Sequence, residues 1–201
     1  MSLDLSSRTE RGYRAMKIYT IIGGVNGCGK SSLTGALKAE RRDLGIIIDV
    51  DKIAAEMGGN NLEAGKEAVK KIDECFSRGV CFTQETTLSG RKTEQTIKRA
   101  RDLGYYIRLY YIGLNSEDEC MQRIKNRVSK GGHDIPEADV SRRFRGRFHS
   151  LVKVLPYCDE VTLFDNDNGF VEVAEYVNGE LIPRGDYRPR WLQELLQIVN
   201  S

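Results

Sequence analysis

Residues 17–32 read KIYTIIGGVNGCGKSS, and this stretch decides how the rest of the chain is understood. KIYTIIG (17–23) is a short apolar run rich in β-favouring residues, and SSLTGALKAERR (31–42) has helical spacing. Between them lies a loop with glycine at 24, 27 and 29, followed by Lys30 and Ser31. A strand, a glycine-rich turn and a helix in that order predict a βα unit whose turn presents backbone N–H groups at a helix start.

Gly24 to Ser31 satisfies G-x-x-x-x-G-K-[ST] at every fixed position. Without Cβ atoms in the way, backbone N–H groups can turn inward around phosphate oxygens, and the helix start adds a partial positive charge. Gly24, Asn26, Gly27, Cys28, Gly29, Lys30, Ser31 and Ser32 are therefore the expected nucleotide-binding positions. Lys30 is expected to reach the β- and γ-phosphates, and the Ser31 hydroxyl to join a Mg²⁺ shell. Cys28 occupies a variable position and is expected to fill space. The loop implies a bound nucleoside triphosphate such as ATP. It does not separate a kinase from an ATPase or a switch.

Working outward, apolar runs alternate with helical patterns. GIIIDV (45–50), VCFTQ (80–84), YYIRLYYIG (105–113) and EVTLFDN (160–166) read as further strands. Residues 62–79, 91–104, 116–130 and 137–155 read as helices, with VEVAEYVNGELIPRG a hairpin turning at Asn178-Gly179 and WLQELLQIV a closing helix. This alternation predicts an α/β fold of three layers: a mainly parallel five-stranded sheet, helices on both faces, and a short C-terminal hairpin and helix. Residues 1–16 are expected to form a flexible tail, and 17–201 a single domain with a lid segment at about 127–147.

The bulk numbers exclude several classes. A net charge of +2 gives no general case for nucleic acid as partner. No apolar stretch approaches about 18 residues, so no membrane partner is expected. Five cysteines without framework spacing read as free thiols in a reducing, cytoplasmic compartment, not as a metal site. His133 beside Gly131-Gly132 is expected to be a turn residue.

In an open parallel sheet, ligands lie beyond the carboxyl ends of the strands. The second strand ends in Asp49-Val50-Asp51 and the third in Gln84-Glu85-Thr86-Thr87. Phosphoryl transfer needs a carboxylate within reach of an acceptor hydroxyl. Asp51 is the expected base, with helix capping as its plain alternative, and Asp49 a half-buried or capping residue. Glu85 and Thr86 are expected on the substrate side. For Glu85 the options are acceptor contact, metal contact or a surface acid. The segment from Arg123 to Arg147 carries repeated arginines around Gly131-Gly132. It suits a hinged flap, with Arg127 and Arg143 expected to stabilise a transferring phosphoryl group. Arg145, Arg147 and Lys130 read as a solvated basic face.

In their order, GGVNGCGKSS, the acid-ended second strand, QETTLSG, RVSKGGHDIPEADVSRRF and the FDN turn make the chain resemble the zeta-toxin family of P-loop kinases over residues 17–170. Characterised members of that family phosphorylate UDP-N-acetylglucosamine. The resemblance implies that Asp51 deprotonates a sugar hydroxyl, Glu85 helps hold the sugar nucleotide, and Asn166 lies near the adenine. It allows an antitoxin protein as partner, which nothing in the sequence itself indicates. After Asp51 the chain reads KIAAEMGGNN, where the toxins usually carry an aromatic or Arg-containing stretch ending in His-Pro. The kinase chemistry therefore carries over better than the acceptor. Two other readings stand beside it: a metabolic small-molecule kinase with a different acceptor, and a nucleotide-dependent binding module without transfer.

Overall fold

The computed structural model describes residues 16–132 and 134–200. The expected tail, apart from Met16, and the turn reading of His133 lie outside the described residues. The strands are β1 (Ile18–Gly23), β2 (Ile46–Asp49), β3 (Phe82–Thr86), β4 (Tyr106–Gly113), β5 (Glu160–Asp165), β6 (Val171–Val177) and β7 (Glu180–Pro183). The helices are α1 (Lys30–Glu40), α2 (Val50–Glu56), α3 (Asn61–Arg78), α4 (Arg91–Asp102), α5 (Glu117–Ser129), α6 (Glu137–Arg145), α7 (Arg147–Val154) and α8 (Arg190–Val199).

The sheet order is β2-β3-β1-β4-β5-β6-β7, with the first five strands parallel and the last two antiparallel. Every residue of β1 is buried, as a central parallel strand covered on both faces requires. Ile21, Ile107 and Leu109 pack under α3, α4, α7 and α8 through Ile72, Ile97, Leu151 and Leu195. Ile22, Tyr110 and Ile112 pack under α1, α5 and α6 through Leu37, Ile124 and Phe144. These are the three layers expected from the alternation.

Three features differ from the sequence expectation. The hairpin is not an appendage: it turns at Asn178 and Gly179, both at positive φ, and extends the same sheet to seven strands. The helix expected over 137–155 breaks at Gly146 into α6 and α7, because the chain must turn from one face of the sheet to the other. Residues 50–56 form a helix of their own, capped by Asp49, whose Oδ1 accepts from the N–H groups of Asp51 and Lys52. Among the described residues, no helix is long and apolar enough to cross a membrane.

Candidate active site

The chain leaves β1 for β2 and β3 on one side, then crosses to β4 on the other. A crevice therefore opens beyond the carboxyl end of β1, and residues 24–29 fill its rim. Two glycines are fixed there by backbone and by contact. Gly24 has φ +146°, and a Cβ on it would lie 2.6 Å from both Cys28 Sγ and the Ile112 carbonyl oxygen. Gly29, the residue before α1, has φ +102°, and a Cβ on it would run into the Asn166 amide. Cys28 is fully buried in the core under α1, so it fills space, and burial raises its thiol pKa.

Two cavities meet at this rim. One, of about 170 Å³, is lined by Gly27, Gly29, Ser31, Ser32 and the arginines Arg123 and Arg127 of α5. The other, of about 280 Å³, lies between α3 and α4, with Val69 and Ile72 on one wall and Thr86, Thr87 and Lys92 on the other. Asn26, Lys30, Asp51 and Glu85 line both. The first cavity has the loop and the cations that suit phosphates. The second has one apolar wall and one rich in hydroxyls and amides.

Asp49 caps α2, which puts Asp51 in the first turn of that helix, half-buried and facing the boundary between the cavities. Capping is thus done by Asp49, and the Asp51 carboxylate is left for other work. Lys30 Nζ is held over the loop by the carbonyl oxygens of Gly24 (3.0 Å) and Val25 (3.1 Å).

Glu85 is buried, not a surface acid. Strand β3 runs two residues further than expected, so Glu85 stands beside Ile22 of β1 and Asp49 of β2. Its carboxylate accepts from Ser31 Oγ (2.8 Å) and Thr34 Oγ1 (2.7 Å). Burial pushes its carboxyl above the usual range and the facing Asp49 adds to this, against the two hydroxyl hydrogen bonds and Lys30. Thr86 accepts from the Leu88 N–H and shares a hydrogen bond with Thr93, so it lines the larger cavity while fixing the start of α4.

The lid arginines separate. Arg127 lines the smaller cavity, with Gly132 folded tightly over it: the Gly132 N–H donates to the Arg127 carbonyl, and a Cβ on Gly132 would lie 2.5 Å from Arg127 Cγ. Arg143 reaches from α6 to the larger cavity and donates to Asn26 Oδ1 at 2.8 Å. Asn166 donates from Nδ2 to the Cys28 carbonyl (2.8 Å), gripping the loop itself. Arg147 does not lie on a solvated face: its guanidinium lies over Phe144 and Phe148 and pairs with Glu194.

Sequence reasoning missed Thr34, Arg123 and Lys92 as lining or supporting residues. Thr34 lies three residues after Ser31 and Arg123 four before Arg127, so helical spacing puts each beside a chosen residue. Lys92 carried no such signal.

No family model matches the chain. A protein of Haemophilus influenzae, described only as uncharacterized, is 36% identical over 127 residues, 60% of this chain and 88% of that one. The chain belongs to that protein's family. Among solved structures, one from the PezAT chromosomal toxin–antitoxin system of Streptococcus pneumoniae has a TM-score of 0.62 at 16% identity, covering 96% of this chain and 88% of that one. The AvrRxo1-ORF1:-ORF2 complex with ATP gives a TM-score of 0.65 at 17% identity and 92% coverage of this chain, which spans 64% of that one. A putative kinase from Chloroflexus aurantiacus J-10-fl gives 0.52 at 16% identity, over 64% of this chain and 78% of that one. The fold is that of the zeta-toxin-like P-loop kinases.

Within this zeta-toxin-like fold, the groups around Ser31 are hard oxygen donors: its own hydroxyl, the Glu85 carboxylate and the nearby Asp49 and Asp51. That set suits Mg²⁺, which binds through one or two carboxylates together with substrate phosphates. Among the described residues, no three His, Cys, Asp or Glu side chains form a metal cage of their own.

Proposed function

We propose that the chain is an ATP- and Mg²⁺-dependent phosphotransferase that moves the γ-phosphate to a hydroxyl of a small molecule held between α3 and α4. The observation that carries this reading is the junction of two cavities at Lys30, Asp51 and Glu85. A switch or a simple ATPase needs the phosphate cavity alone. A transferase needs a second chamber that opens on the same carboxylate.

The triphosphate is held in the smaller cavity by the loop N–H groups, with Lys30 swinging from its two carbonyl partners to the phosphates. Ser31 and Glu85 would hold Mg²⁺, which would supply neutralisation of phosphate charge. Asp51 takes the proton of the acceptor hydroxyl as its oxygen bonds to the γ-phosphorus. The bond to the bridging oxygen breaks, and ADP leaves with that electron pair. Arg127 and Arg143, brought by the segment at about 127–147, spread the equatorial charge. Supporting the acceptor chamber is its shape: an apolar wall for a ring face and a polar wall for hydroxyls.

The test is incubation with ATP, Mg²⁺ and a panel of UDP-sugars, which the zeta-toxin resemblance ranks first, and of small polyols. Gain of one phosphoryl group by an acceptor, read by mass, is the expected result. ATP hydrolysis with no acceptor modified across the panel argues for the nucleotide-dependent module instead.

A further inference from the structure

The C-terminal helix is tied to the nucleotide rim through three consecutive residues. Asp165, at the end of β5, is buried, and its Oδ1 accepts from Trp191 Nε1 at 2.6 Å. Its Oδ2 accepts from the Asp167 N–H (3.2 Å) and the Tyr187 hydroxyl (3.3 Å). Asn166 grips the loop at the Cys28 carbonyl (2.8 Å). The carbonyls of Asn166 and Asp167 accept from Arg123, which lines the phosphate cavity. Asn115 closes the circuit: its Oδ1 accepts the Trp191 backbone N–H (3.1 Å), and its Nδ2 donates to Asp167.

Trp191 is the sole tryptophan of the chain, and it is fully buried. Its indole lies flush on Gly113, where any Cβ would overlap the ring, so its position relative to β4 is fixed. A hydrogen bond from that ring to a buried carboxylate is a strong, directional link in a low-dielectric setting.

We infer that Trp191 is a positioning residue for nucleotide binding, acting through Asp165 to hold Asn166 on the phosphate loop and Arg123 at the cavity wall. Helix α8 thereby sets the geometry of the loop at residues 24–29. The inference rests on the reading that this loop holds a nucleoside triphosphate, and the test separates the two.

Trp191→Phe keeps a ring against Gly113 but loses the N–H donor. The dissociation constant for ATP, measured by calorimetry well below the melting point of each variant, is expected to rise about tenfold, the effect of one hydrogen bond to a charged group. In an Asn166→Ala background, where the link to the loop is already cut, the same substitution is expected to change it less than about twofold. A merely structural role lowers the melting point but leaves the dissociation constant unchanged, and that result overturns the inference while the nucleotide reading stands. Equal effects in both backgrounds overturn it as well. If Trp191→Phe does not fold, the wild-type protein decides. Emission from its sole tryptophan is expected to change saturably on titration with ATP, and an unchanged spectrum at calorimetric saturation overturns the inference. Absence of ATP binding to the wild type overturns both readings.

Discussion

Ser31 and Glu85 are joined across 2.8 Å, and Thr34 holds the other oxygen of the same carboxylate at 2.7 Å. One buried acid thus links the phosphate loop to the third strand, and burial holds its carboxyl above the usual range. A hydroxyl and a carboxylate so placed serve a divalent ion only when the carboxylate is ionised.

The consequence is a pH dependence. Glu85 loses its proton only above its raised pKa, so Mg²⁺ affinity and turnover should rise with pH through that value and fall as pH drops below it. The acid limb should lie above the ordinary glutamate pKa of about 4.3. Glu85→Gln should remove that limb and lower turnover at neutral pH by about 10²-fold. The folded chain binds this proton more tightly than the unfolded chain, so Glu85 costs stability as pH rises, and Glu85→Gln should melt no lower than wild type at neutral pH. Rate profiles and melting curves against pH check both, and identical acid limbs for the two proteins sink the assignment.

Asp51 should behave differently. It touches both cavities but neither caps α2 nor holds the loop. Asp51→Asn is expected to cut turnover by about 10²–10⁴-fold while the ATP dissociation constant stays within about twofold. Turnover with an identified acceptor, set beside ATP calorimetry, measures the split. Equal loss of binding and turnover would return Asp51 to a structural role.

Arg143 tests the flap. Its Nη1 already donates to Asn26, the loop residue that lines both cavities. A lysine keeps the charge but loses the planar fork, so Arg143→Lys should lower turnover by about 10-fold and Arg143→Ala by about 10²–10³-fold. Its neighbour Arg142 is exposed and pairs with Asp139 one turn back, so Arg142→Ala should leave turnover unchanged. A similar loss at both positions would mean that general positive charge, not placement, is what matters.

These residues also mark how far the sequence could be read. The loop was legible because its glycines have one reason to be there, backbone and contact together at Gly24 and Gly29. The parallel core followed from apolar runs between helical patterns. Capping was among the readings open to both Asp49 and Asp51, because capping is local, and the structure gives it to Asp49. Contacts between distant segments were not legible. Arg147 on Glu194, Trp191 on Asp165 and Glu85 on Thr34 join elements that only the folded sheet brings together. Hairpin placement was missed for the same reason: Asn178-Gly179 specifies a turn but not the strand beside which it docks.

A half-buried ion network around the buried Arg108, at the opposite end of the sheet, separates stability from activity. Arg108, on β4, donates to Asp43 (3.1 Å) and Glu160 (2.9 Å), and Arg41 adds a two-pronged contact to Asp43 at 3.0 and 3.1 Å. Arg41 foremost, then Arg108, hold the Asp43 carboxyl down to about 2, against the opposing effect of burial. The unfolded chain protonates near 3.8, so this contribution is complete above that pH and is lost as pH falls toward 2. Asp43→Asn leaves the Arg108 side chain, 4% exposed, with Glu160 alone, while Asp43 itself is 32% exposed. That partial exposure screens the pair, so the expected cost at neutral pH is about 1–2 kcal/mol, not the 3–5 of a fully buried partner. Urea melts should show this gap between Asp43→Asn and wild type at pH 7, narrowing steadily below about pH 4. Glu160 begins β5, whereas the other end of that strand leads into Asn166, which grips the phosphate loop. Turnover of the variant under folded conditions should therefore equal wild type, and a gap that persists at low pH would show that Asp43 acts by packing, not by charge.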